Sequence, residues 1–132
     1  MTEIELAKQW LRYAYNDLLV AKNCLENMHP QQTEIACYHC QQSAEKALKG
    51  FLVYCQTEPP KIHDLRVLCQ LCSKKDERFS TIYNMCSELT PLGVPVKYPN
   101  ELSADETIAS TSVDSAQKIY DFCFAKIPEQ AN

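Results

Sequence analysis

Four polar residues recur at spacings of three and four along one stretch of the chain: His39, Gln42, Lys46 and Lys49. On a helix that spacing stacks them on a single face. One histidine and two lysines over three turns could receive a phosphate or a partner's acidic surface. The competing reading is a solvated or dimer-facing polar seam, flanked by Gln41 and Glu45, in which Glu45 pairs with Lys49 at i,i+4. His63 and Asp64 follow Pro59-Pro60. His63 either faces the same cleft as His39 or packs beside a helix cap made by Asp64. Asp17 lies beside an apolar helical stripe, where it could hold a lysine or tyrosine from another helix. Lys97 and Tyr98 sit between Pro91 and Pro99, in a segment that would either close over a ligand or act as a stiff connector.

The eight cysteines offer a different chemistry. Two C-x2-C pairs, Cys37/Cys40 and Cys69/Cys72, would supply four thiolates for zinc. Zinc knuckles usually place such pairs on turns, whereas both pairs here fall inside helix-phased apolar patterns. Most of the cysteines are therefore expected to pack as small apolar side chains, with no metal and no cofactor.

These residues need elements to hold them. From Thr2 to Met28, the residues Ile4, Ala7, Leu11, Ala14, Leu18, Ala21, Leu25 and Met28 form one helical stripe, opened by a Thr2/Glu5 capping box. His29-Pro30 ends it, and Pro30 is expected to open a second helix that runs to about Gln56. That helix buries Cys37, Cys40, Ala44, Ala47, Leu48, Phe51 and Cys55, and Gly50 inside it points to close packing or a bend. Asp64 caps a short helix carrying Leu65, Leu68, Cys69 and Cys72. Lys74 to Arg78 reads as a solvated turn, and Phe79, Ile82, Tyr83, Cys86 and Leu89 as a further short helical face. Thr90 to Pro99 reads as a loop. Ser103 and Glu106 form a second capping box, opening a last helix with Ile108, Ala116, Ile119, Tyr120, Cys123 and Ile127 on its face, closed by Pro128.

Composition agrees. The 132 residues suit one domain with a real core. Only 2 glycines occur, against about 9 at average usage, which disfavours strand-rich folds and glycine-rich phosphate loops. A net charge of −4 excludes a generic basic surface for nucleic acid, though not a local basic stripe. No apolar run reaches membrane-spanning length, and the acidic, amphipathic start does not read as a signal peptide, so a cytoplasmic protein is expected. The expected fold is an all-α, up-and-down bundle of four to five helices in a single domain over residues 1–132, its two long helices antiparallel neighbours.

Four segments in order carry a family resemblance: Trp10 to Ala21 (WLRYAYNDLLVA), Ala36 to Leu52 (ACYHCQQSAEKALKGFL), Pro60 to Leu68 (PKIHDLRVL) and Val96 to Pro99 (VKYP). Together they resemble the HEPN domain family. The resemblance implies a homodimeric helical bundle that often partners a minimal nucleotidyltransferase, as its substrate- or nucleotide-binding subunit or as half of a toxin–antitoxin pair. Other members of that family are metal-independent ribonucleases, marked by an arginine followed four to six residues later by a histidine. Here no histidine has an arginine five to seven positions upstream, and Lys97 stands where the family usually has arginine. Lysine cannot make the bidentate fork of a guanidinium. The expectation is a non-catalytic subunit whose ligand or partner meets His39, Gln42, Lys46, Lys49, His63, Lys97 and Tyr98. A divergent ribonuclease using His39, His63 and a lysine is the alternative.

Overall fold

The computed structural model describes residues 1–93 and 104–128. Five α-helices carry the fold: α1 (Glu3–Glu26), α2 (Thr33–Tyr54), α3 (Leu65–Ser73), α4 (Tyr83–Leu89) and α5 (Glu106–Lys126). Two 3-10 turns, Glu77–Ile82 and Thr90–Leu92, lead into and out of α4. Among the described residues there is no strand, and no helix is long and apolar enough to cross a membrane.

α1 begins where its capping box lies: Thr2 Oγ1 accepts from Glu5 N, and Glu5 Oε2 accepts from Thr2 N. Its stripe is buried from Ala7 to Ala21, while Ile4 and Leu25 are half-buried and Met28 is exposed. α2 returns antiparallel against it: Ser43 Oγ donates to the Ala14 carbonyl, and Gly50 lies beside Ala7 and Trp10. A Cβ at Gly50 would sit 3.1 Å from Trp10 Cβ and 3.3 Å from the Ala7 carbonyl oxygen. The glycine therefore serves close packing. The alanines of both helices, Ala7, Ala14 and Ala21 against Ala36, Ala44 and Ala47, are fully buried.

Pro30 does not open α2. Its peptide with His29 is cis, and the reversal also consumes Gln31 and Gln32. Gln31 Nε2 donates to the Leu25 carbonyl and Gln32 N to that of Cys24, so helix geometry resumes only at Thr33. Asp64 does cap α3, accepting from Arg66 N. The segment Lys74 to Arg78 is more than a solvated turn: Asp76 caps the first 3-10 turn and accepts from both Arg78 and Lys126, tying it to the end of α5. Those two cations hold the Asp76 carboxyl well below the usual carboxylate range, with the Arg78 hydrogen bond the larger cause. The last helix starts later than a Ser103 cap would place it. Asp105 is the cap, accepting from Ile108 N, and Ser103 lies outside the described residues. Ile108 is exposed on this helix, and Ala109 and Ser112 face inward instead.

α2 is the central rod. It packs on α1, α5 and α3, and its C-terminal half is buried on nearly every side, from Ser43 to Val53 apart from Lys46. At that end Phe51 packs tilted on Phe79 at a centroid distance of 4.4 Å, and Phe79 meets Phe122 edge-to-face at 4.9 Å. Cys69, Cys72, Cys86 and Cys123 fill the space beside them, all fully buried. Burial pushes the Cys72 and Cys123 thiols up, and Cys86 is held protonated chiefly by its hydrogen bond to Cys69.

Candidate functional site

The polar residues of α2 meet α1 on one side and the segment before α3 on the other. Asp17, from α1, accepts from His39 Nδ1 at 2.8 Å on one carboxylate oxygen and from Lys46 Nζ at 2.5 Å on the other. Glu45, on α2, repeats the arrangement: His63 Nδ1 lies 3.0 Å from Oε1 and Lys49 Nζ 3.0 Å from Oε2. Each carboxylate thus clamps one imidazole and one ammonium. A carboxylate only accepts, so both imidazoles carry a proton on Nδ1, and a neutral ring keeps its lone pair on Nε2.

The two clamps differ in burial. Glu45 and Lys49 are each 8 % exposed at the side chain, whereas Lys46 is 29 % and His63 78 % exposed. Gln41, fully buried, ties the second clamp down. Its amide donates to the His63 carbonyl at 2.9 Å and to Glu45 Oε1 at 3.3 Å, and its oxygen accepts from Gln42. Gly93 covers Gln41 closely enough that a Cβ there would fall 2.6 Å from its amide carbon. The chain therefore passes over this cluster just before residue 94.

The stripe is thus split between two networks, His39 and Lys46 on Asp17 and Gln42, Lys49 and His63 around Gln41 and Glu45, and Lys49 proves buried in its i,i+4 pair with Glu45. Lys97 and Tyr98 lie outside the described residues. The residues the polar stripe alone did not single out as central are the carboxylates and Gln41. Part of their signal was available: Asp17 stands three positions after Ala14 and Gln41 three before Ala44, each phased with a small residue, and Glu45 stands four before Lys49. The two C-x2-C pairs do not come together. Cys37 faces Ser112 of α5 and Cys40 approaches Cys24, whereas Cys69 and Cys72 bond carbonyls of Phe79 and Leu48. Among the described residues no group of three or more histidine, cysteine or acidic side chains is arranged to hold a metal ion.

The fold and these two clamps define an all-helical bundle with a polar, carboxylate-clamped face on its central helix. The HEPN domain model matches residues 7–127, so the chain belongs to the HEPN domain family. Two solved structures share its fold. TT1696 from Thermus thermophilus is 25 % identical, with a TM-score of 0.77 over 91 % of this chain and 97 % of that one. ST0689, described as an archaeal HEPN homologue, is 23 % identical, with a TM-score of 0.70 over 92 % of this chain and 97 % of that one. No curated protein matches the chain.

Proposed function

We propose that this HEPN domain is a non-catalytic binding subunit. It receives a phosphate-bearing ligand, a nucleotide, on the α2 face of His39, Gln42 and Lys46, with Lys49 held beneath that face by Glu45, His63 at the rim and Lys97 and Tyr98 as further contacts. It acts as a homodimer beside a minimal nucleotidyltransferase, in a toxin–antitoxin-like pair. The observation that supports the ligand is the clamping of its donors: Lys46 and both histidines are held in place by carboxylates. Ordering donors in advance lowers the entropic cost of binding. The partner rests on family membership.

Titration calorimetry with nucleoside mono- and triphosphates tests the ligand. Binding in the micromolar range, weakened about tenfold by Lys46→Ala, is expected for a charge-assisted contact to phosphate. Absence of heat at millimolar nucleotide refutes it. Co-purification with a nucleotidyltransferase encoded beside this protein tests the partner.

One observation favours a second reading, metal-independent RNA cleavage. His39 and His63 both present a carboxylate-supported imidazole with Nε2 left for proton transfer. Incubation with RNA separates the readings: no cleavage, or cleavage that His39→Ala leaves unchanged, removes the enzyme.

A further inference from the structure

The side of α1 away from the clamps, where it adjoins α5, is apolar at its centre and oppositely charged at its ends. At the centre Leu19 is 46 % and Tyr15 44 % exposed, beside Tyr120 and the 37 % exposed Phe124 of α5. Tyr15 and Tyr120 lie 5.6 Å apart by ring centroid, and Tyr120 and Phe124 5.8 Å. Arg12 lies seven positions before Leu19 and Glu26 seven after it. Seven residues make nearly two turns, so all three share one stripe, each charge about 10 Å from the leucine along the axis. Lys8 extends the basic end, where the one acidic residue on the stripe at this end, Glu5, is turned back to accept from Thr2 N in the capping box. At the acidic end Glu26 joins Glu106 and Asp114 around a groove of about 300 Å³ between α1 and α5. The one lysine lining that groove, Lys22, is committed to Gln117 at 2.6 Å. Among the described residues, Arg12, Glu26, Glu106 and Asp114 form no ion pair, and Arg12 makes a cation–π contact with the neighbouring Tyr13 ring at 5.6 Å.

An apolar centre with a basic end and an acidic end matches itself when turned by a two-fold axis through the centre. We infer that a second copy of this chain docks on this face: the two α1 helices run antiparallel and cross at Leu19, and Arg12 of each copy meets Glu26 of the other. The symmetry makes both salt bridges at once and brings the basic end over the acidic groove, while the leucines and aromatic rings bury one another. This gives the homodimer reading its surface and rests on that reading. It also leaves both carboxylate clamps, on the α2 side of α1, open to ligand in each copy.

Sedimentation equilibrium over a concentration series reads the dimer constant directly. The wild-type protein is expected to be dimeric, and Leu19→Glu, a change at an exposed position, to leave a folded monomer by circular dichroism. Arg12→Glu and Glu26→Arg should each weaken the dimer about tenfold, because each replaces two attractions by two repulsions. The double variant R12E/E26R should restore it to near the wild-type constant. Recovery in the double variant supports this register. A dimer that Leu19→Glu leaves intact, or a double variant no better than the singles, overturns the docking face and leaves the homodimer standing. A wild-type protein that stays monomeric at about 100 µM overturns both.

Discussion

Asp17 and Glu45 do the same job in different surroundings, and the difference decides what their loss costs. Both accept from a histidine and a lysine. Lys46 can swing into water when Asp17 is removed, whereas Lys49 is buried and would keep an uncompensated charge. Asp17→Asn should therefore cost about 1–2 kcal/mol and Glu45→Gln about 3–5 kcal/mol of unfolding free energy, measured by urea denaturation. Replacing Glu45 and Lys49 together by methionine should cost less than Glu45→Gln alone, since no buried charge is then left without a partner. Equal costs for the two single carboxylate changes would contradict the burial difference. At this scale the sequence was informative about residue types and about the Glu45–Lys49 pair within one helix, but not about which side chains pair between helices. His39, Lys46 and Lys49 were legible as one stripe, but nothing in the spacing of Asp17 says which lysine it meets, because the meeting depends on the register of α1 against α2.

That register is an element-scale property, and Gly50 sits at its tightest point. Alanine there gains about 1 kcal/mol of helix propensity but presses on Trp10 and on the α1 backbone, so Gly50→Ala should be close to neutral. Gly50→Leu has no such offset and should destabilise by about 3 kcal/mol through overpacking, which thermal unfolding would reveal. The other end of the bundle is tied by Asp76. Its carboxyl titrates lower in the folded chain than the value near 3.9 of an unfolded one. A depressed carboxyl stabilises the fold at pH values above its unfolded pKa, and the contribution fades as pH falls through the folded one. Asp76→Asn should thus lower stability at neutral pH and flatten the loss of stability below about pH 4. A parallel shift of the whole pH profile would show that Arg78 and Lys126 do not act through this carboxylate. Element starts were readable wherever a side chain makes the cap, as at Thr2 and Asp64. They were misread at Pro30 and Ser103, where a neighbouring segment outbid the local signal: the Gln31–Gln32 turn in one case, the Asp105 cap in the other.

For the whole molecule, the cysteines test the packing. Seven of the eight are buried and only Cys55 is partly exposed. A thiol-reactive dye should modify Cys55 first, with the remainder reacting at the rate of unfolding, since packed thiols are out of the reagent's reach until the fold opens. Rapid modification of several thiols in the native protein would mean that the α3–α4–α5 end is loosely packed.

Helical class, element order, the antiparallel long helices and the family were all determined by sequence alone. They follow from patterns that repeat within a segment: a three-four apolar spacing, a capping box, a proline break, a run of residues such as Ala36 to Leu52. The carboxylate clamps, the separation of the two C-x2-C pairs and the two-ended face of α1 and α5 were decided only by tertiary structure. Each brings together side chains from segments far apart in the chain, Asp17 with His39 and Lys46 or Glu26 with Glu106 and Asp114. Local spacing gives each helix its faces, but only the packing of one rod on another sets which faces meet.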